Sequence, residues 1–314
     1  MEASGRGKDS RIATDSLGAQ NHTADVCEGT AAADRTAVEV GQPHRPPQPA
    51  GPRHQEVSEV LPWPRVSVVI PTLNEALNLP HVLRAIPDCV HEVVVVDGLS
   101  TDGTPEVALE HRPDAKLVYE TGAGKGVALQ RGFDAATGDI LVMMDADGSA
   151  DPYEIPAFLE VLLAGADFAK GTRFCPGGGS SDITPLRAFG NRALGAAVNG
   201  LFRTKYTDLC YGYNAFWRHC LSAMKVDCNG FEVETLINIR VARAGLTVSE
   251  VPSFERDRLH GQSNLRTFRD GSRVLRTIVR ERVRRAPHSH DVNSEIAHLA
   301  TPVVEDALLS PASD

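Results

Sequence analysis

The chain has 314 residues, 42% of them hydrophobic, and a formal net charge of -9 at pH 7. The length suits one large α/β domain or two small ones, and the acidic balance argues against nucleic acid as the main partner. Six cysteines with no Cys-x-x-Cys pair argue against a zinc ribbon and read as free thiols in a reducing compartment.

Residues 1–60 are rich in Ala, Gly, Asp, Pro, His and Gln without a hydrophobic period, and residues 286–314 are similar, so both are expected to be disordered tails. No apolar run follows a basic start, and no stretch is long enough to span a bilayer. The expected location is therefore cytoplasmic, with peripheral attachment to the inner face of the cell membrane as a further expectation.

The core is expected over residues 65–285. It opens with the β-branched run Val66–Ile70, a buried strand ended by Pro71. Leu77, Leu79, Val82, Leu83 and Ile86 recur at helical spacing. Glu92–Val96 is a second strand, 102–111 a helix, 116–119 a third strand, 126–136 a helix, and Ile140–Met144 a fourth strand. Strand and helix in alternation predict an α/β fold with a mostly parallel sheet covered on both faces. The second half is less regular, with helices over 151–164, 186–202 and 231–244, strands over 167–171 and 247–251, and a basic helix over 265–285.

In such a fold, ligands bind at the C-terminal ends of the strands. Three polar turns lie there: Pro71-Thr-Leu-Asn-Glu75, Asp97-Gly-Leu-Ser-Thr-Asp-Gly-Thr104 and Asp145-Ala-Asp147. Asp145 and Asp147, one residue apart after a buried strand, are candidate ligands for Mg²⁺ or Mn²⁺, hard ions whose shell a diphosphate can complete. An isolated Asp-x-Asp is weak evidence; its place opposite two other polar turns strengthens it. Asp97 is a candidate for a ribose or base, whereas Thr104 reads as a structural helix start. Gly122–Gly126 can be read as a phosphate cradle at a helix start, but it lacks the spacing and the Ser or Thr of a Walker A loop. Lys125 within it is either a donor contact or a solvated side chain.

These turns together resemble family 2 glycosyltransferases of the GT-A fold, through 66–75, Val94–Asp97 with Ser100–Thr104, Gly124-Lys-Gly126 and Asp145-Ala-Asp147. The second half resembles the dolichol/polyprenyl-phosphate mannose synthase branch, through Gly171–Phe174, Arg187 with Gly190-Asn191, Thr207–Tyr213, Phe231–Glu234 and His260–Leu265. The resemblance implies that Pro71, Thr72, Glu75, Asp97 and Lys125 line the nucleotide-sugar pocket. It implies that Asp145, Ala146 and Asp147 hold donor and metal, and that Arg173, Arg187, Arg258 and Ser263 meet donor or acceptor phosphates. Arginine's planar fork suits such oxygens. The implied partners are a nucleotide-sugar donor and a polyprenyl-phosphate acceptor. Where the family often carries Gln, this chain has Ser149, and Asn264 replaces a family lysine, so a divergent donor or acceptor is expected.

The implied chemistry is displacement at the anomeric carbon with inversion. A phosphate acceptor needs little base assistance; a hydroxyl acceptor needs a carboxylate, for which Asp208, Glu232 and Glu234 are candidates, with Glu234 first by family position. The basic helix 265–285, with Leu265, Phe268, Leu275 and Ile278 on its apolar side, either lies on an anionic membrane or packs on the sheet. A nucleotidyltransferase would need a glycine-rich loop after the first strand, where Pro-Thr-Leu-Asn-Glu stands instead. A non-catalytic sugar-nucleotide or lipid-phosphate binder keeps the same pockets without turnover.

Overall fold

A computed structural model describes residues 63–121, 124–262 and 265–284. Both expected tails, together with Gly122, Ala123, Ser263 and Asn264, lie outside the described residues.

The first half follows the predicted alternation: β1 (Val66–Thr72), α1 (Leu79–Ala85), β2 (Glu92–Asp97), α2 (Thr104–His111), β3 (Lys116–Tyr119), α3 (Lys125–Ala135) and β4 (Ile140–Met143). After a 3-10 turn at Pro152–Glu154 come α4 (Ile155–Leu163), β5 (Phe168–Thr172), β6 (Gly179–Ser180), α5 (Pro185–Phe202), β7 (Asn214–Trp217) and α6 (Cys220–Met224). Then follow α7 (Val233–Arg243), β8 (Val248–Pro252), β9 (Phe254–Glu255) and α8 (Thr267–Val283).

The main sheet runs β3-β2-β1-β4-β7-β5-β8. It is parallel except at β7, which runs against both β4 and β5. Strand periodicity explains why both faces are buried. Val68, Ile70, Val93 and Val95 pack with Leu79, Val82, Leu83 and Phe158 of α1 and α4. The alternate residues Val69, Val94 and Val96 pack with Leu129 and Phe133 of α3 and Leu236 of α7. A strand apolar at every position suits a sheet covered twice.

The elements not predicted were β6, β7, α6 and β9. Asn214-Ala-Phe-Trp217 follows a Tyr- and Gly-rich turn and offers only four residues of alternation, so β7 is revealed by its ladder with β4 rather than by its own pattern. The helix expected over 151–164 starts as a 3-10 turn, with the Asp151 carboxylate accepting from Tyr153 N–H at 3.0 Å.

α8 packs on α7 and α5 through Val274, Thr277, Ile278 and Glu281. Its expected single apolar side is divided: Ile278 faces the interior, while Phe268 and Leu275 are exposed. Arg240 and Arg243 of α7 clasp the buried Glu281, and Asp227 pairs with Arg240, Arg280 and Arg284, fastening the end of α8 to α7.

Candidate active site

At the switch point, β1 lies between β2 and β4, and the chain leaves β1 on one side and β4 on the other. The polar turns meet there. Asn74 N–H donates to Ser100 Oγ at 2.8 Å, Glu75 N–H to Thr104 Oγ1 at 2.9 Å, and Ala76 N–H to an Asp102 oxygen at 3.0 Å. The turn after β2 thus clamps the turn after β1, and Thr104 is structural.

A cavity of about 670 Å³ opens beside them. Its lining brings together Pro71, Thr72, Glu75, Lys125, Asp145, Ala146, Asp147, Arg173, Arg187, Arg258 and Glu234, all singled out from the sequence. Asp97 stands behind this wall, 1% exposed, accepting from Ser100 N–H at 3.0 Å. Ser263 lies outside the described residues.

Ala146 belongs to the core, which leaves Asp145 and Asp147 facing the cavity on either side of it. Each is paired with a cation. Lys125 Nζ lies 2.6 Å from Asp145 Oδ1 and 2.7 Å from Glu234 Oε1. Arg258 donates from Nη1 to Glu75 Oε1 at 2.8 Å and pairs through Nη2 with Asp147 Oδ2 at 3.0 Å. Burial would pull the Lys125 ammonium down, but Asp145 and Glu234 hold it well above the usual lysine range. Burial pushes the Glu234 carboxyl up, and Lys125 opposes that.

Four carboxylates therefore face two cations, an excess of two negative charges beside the cavity. Among the described residues no group of three or more His, Cys, Asp or Glu side chains forms a ready metal cage. Mg²⁺ is commonly held without one, by one or two carboxylates together with substrate phosphates. Asp145 and Asp147 fit that donor set.

Of the stretch 122–126 read as a phosphate cradle, Gly122 and Ala123 lie outside the described residues, and the Gly126 N–H is spent on Asn229 O at 3.1 Å. A Cβ at Gly126 would lie 2.1 Å from Cys228 O, and one at Gly124, where φ is +113°, 2.3 Å from Asn229 O. The glycines let α3 press against the 228–229 backbone and so carry Lys125 to Asp145.

Arg173, expected on phosphate, lines the cavity while its guanidinium donates to Asp208 through Nε (2.7 Å) and Nη2 (3.0 Å), and to Glu255 through Nη1 (3.0 and 3.1 Å). Asp208 was a candidate base, but it is fully buried, does not line the cavity, and also accepts from Asn191 Nδ2 at 2.9 Å. Burial alone would raise its carboxyl; the hydrogen bonds and charge of Arg173 hold it below the usual range. Glu255, which completes this network, was not singled out from the sequence because the two-residue β9 carries no pattern of its own.

On the other side, the cavity runs between α5 and α8, where Leu186, Gly190, Leu194, Leu265, Gly271 and Val274 line it. Arg187 stands at this end, paired with Asp182 at 3.2 Å.

The sequence profile of "Glycosyl transferase family 2" matches residues 67–224. The chain belongs to this family. Among relatives, polyprenol monophosphomannose synthase of Mycolicibacterium smegmatis is 34% identical over 234 residues, covering 68% of this chain and 88% of the relative. Glycosyltransferase AglJ of Haloferax volcanii is 31% identical over 221 residues, covering 68% and 71%. Among solved structures, glucosyl-3-phosphoglycerate synthase from Mycobacterium tuberculosis, in complex with Mn²⁺, UDP and glucosyl-3-phosphoglycerate, aligns with a TM-score of 0.55 and 26% identity, covering 70% of this chain and 80% of that one. This glycosyltransferase thus has the GT-A fold expected from the sequence, and the inverting course is general to its family. No helix among the described residues is long and apolar enough to cross a membrane. Cys89, Cys175, Cys210, Cys220 and Cys228 are free thiols.

Proposed function

We propose that this glycosyltransferase moves a sugar from a nucleoside-diphosphate donor to the phosphate of a polyprenyl phosphate. The observation that carries the acceptor is the state of the three carboxylates named as candidate bases. Asp208 is committed to Arg173 and Glu234 to Lys125, and Glu232 does not line the cavity. A hydroxyl acceptor needs a base to take its proton; a phosphate is already ionised. Two relatives support the reading by name: the polyprenol monophosphomannose synthase, and an undecaprenyl-phosphate mannosyltransferase of Micrococcus luteus, 32% identical over 218 residues.

In this reading, Pro71, Thr72 and Glu75 shape the nucleoside end, and the buried Asp97 holds the turn behind them through Ser100 N–H. Asp145 and Asp147 hold a divalent cation, which when bound supplies positive charge to the leaving diphosphate. Arg187 receives the acceptor phosphate, and the groove between α5 and α8 receives the first units of its apolar chain. Arg173 serves as a buried strut. An acceptor oxygen forms its bond to the anomeric carbon as the bond to the diphosphate oxygen breaks on the opposite face, which inverts that centre. The domain boundaries follow: residues 65–285 carry the transferase, flanked by tails 1–60 and 286–314.

The same groove opens beside exposed apolar side chains. Leu186, Phe189 and Leu201 of α5, and Phe268, Leu275, Val279 and Val283 of α8, are all exposed. α8 also carries Arg269, Arg273, Arg276, Arg280 and Arg282. Apolar side chains amid arginines suit the surface of an anionic bilayer, where a lipid acceptor resides. A peripheral place on the inner face of the cell membrane follows from this reading.

A second reading follows from the glucosyl-3-phosphoglycerate synthase likeness: a small soluble acceptor that carries its own anion. The test is nucleoside diphosphate release from GDP- and UDP-sugars with Mn²⁺ or Mg²⁺, with polyprenyl phosphate, with 3-phosphoglycerate, or with neither. Release that needs the lipid supports the proposal; release driven by phosphoglycerate supports the second reading and overturns the first.

A further inference from the structure

We infer that Lys125 and Arg258 are internal place-holders for the divalent cation: each occupies one carboxylate of the Asp145-Ala-Asp147 turn and gives it up when the cation enters. The inference rests on the reading of Asp145 and Asp147 as metal ligands.

Each cation is shared between a shallow carboxylate and a deep one. Lys125 bridges Asp145, whose side chain is 38% exposed, and Glu234, 3% exposed. Arg258 bridges Asp147, 16% exposed, and Glu75, 9% exposed. The deep partners are held independently. Glu75 accepts from Asn78 Nδ2 at 2.6 Å, and Glu234 lies in the first turn of α7. The shallow partners face the cavity.

Charge balance then dictates the exchange. When Lys125 retains only Glu234 and Arg258 retains only Glu75, two neutral pairs stay behind. Asp145 and Asp147 are left with two negative charges, which match one divalent cation. No charge is stranded in the interior. Until then the two lateral pairs occupy Asp145 and Asp147.

The local packing is built around the Lys125 bridge. A Cβ at Gly212 would stand 3.0 Å from Lys125 Nζ, 3.1 Å from Asp145 Oδ2 and 3.4 Å from Glu234 Oε1, so glycine leaves the room in which the three groups meet. The Phe231 ring lies 5.7 Å from Lys125 Nζ and covers another side of the ammonium.

The test is a Mn²⁺ titration of the full chain, read by the electron paramagnetic resonance of free Mn²⁺, with thermal unfolding as the check on folding. Lys125→Met removes the competitor and is expected to tighten Mn²⁺ binding by about tenfold or more. Arg258→Met is expected to act in the same direction and stands in should Lys125→Met fail to fold. Glu234→Gln leaves Asp145 as the sole carboxylate for Lys125 and is expected to weaken Mn²⁺ binding. A merely structural role would weaken binding in all three. Unchanged or weaker binding in both Lys125→Met and Arg258→Met overturns the place-holder role while leaving the metal site in place. No Mn²⁺ binding by the wild-type chain, with or without GDP or UDP, overturns the metal reading itself and the inference with it.

Discussion

Arg173 and Asp208 form a two-pronged buried pair, Nε to Oδ2 at 2.7 Å and Nη2 to Oδ1 at 3.0 Å, which joins the end of β5 to the segment before β7. Glu255 and Asn191 complete it from β9 and α5. Four separate parts of the second half are thereby tied together beside the cavity. Removing one partner of a buried pair typically costs about 3–5 kcal/mol, because the other charge is stranded. Arg173→Met is expected to lose about that much in urea unfolding at pH 7. Loss of activity without loss of stability would instead return Arg173 to a direct phosphate contact.

The same pair sets an acid limit. Asp208 titrates below its ordinary range in the folded chain, so its stabilisation is complete above about pH 4, the unfolded Asp range. It is lost as the pH falls through the lower folded value. Asp227 acts in the same sense: burial would raise it, but Arg240 and Arg284 hold it down. Unfolding free energy should therefore fall as the pH drops below about 4, and less steeply in Asp208→Asn, which lacks that titration. Parallel pH profiles for wild type and Asp208→Asn would contradict this linkage.

Gly126 is expected to tolerate no side chain. Alanine there would place a Cβ 2.1 Å from the Cys228 carbonyl, a backbone atom that cannot swing aside. Gly126→Ala is expected to cost about 1–3 kcal/mol in denaturant unfolding, the usual range for overpacking. A neutral effect would mean that α3 is free to slide along the 228–229 segment.

Phe268 is 85% exposed on α8 and Phe189 is 71% exposed on α5. Changing both to Glu should leave the unfolding midpoint within about 0.5 kcal/mol of wild type, as for surface substitutions elsewhere. Co-sedimentation with anionic liposomes should fall strongly. Undiminished liposome binding would exclude these helices as the contact.

What was legible in the sequence follows from how local each signal is. The strands β1, β2 and β4 are apolar at nearly every position and end at the polar turns, so strand, turn and site could be read together. Asp145, Asp147, Lys125 and Arg258 were each recognisable, but their pairing was not, because Lys125 and Glu234 are brought together only by the packing of α3 beside α7. The glycine pair around Lys125 illustrates the same limit. Its composition suggests a phosphate loop, and composition alone does not reveal its close backbone contact with Cys228 and Asn229, more than a hundred positions away. The side of α8 that faces inward was misread because Asp270, Thr277 and Glu281 are buried there: Glu281 is paired with Arg240 and Arg243 of α7, and Asp270 accepts from Arg266 N–H at the start of α8 itself.

In the proposed function, Asp145 and Asp147 support metal-dependent transfer to a phosphate acceptor. The most direct measurement is nucleoside diphosphate release, in the presence of polyprenyl phosphate and Mn²⁺, by the wild-type chain and by Asp145→Asn side by side. Release by wild type is expected to stop when either lipid or metal is withheld. The variant, with its thermal unfolding little changed, is expected to be slower by on the order of a hundredfold, the several kcal/mol that a positioned cation supplies. Equal rates for the two proteins, or wild-type release indifferent to metal, would contradict it.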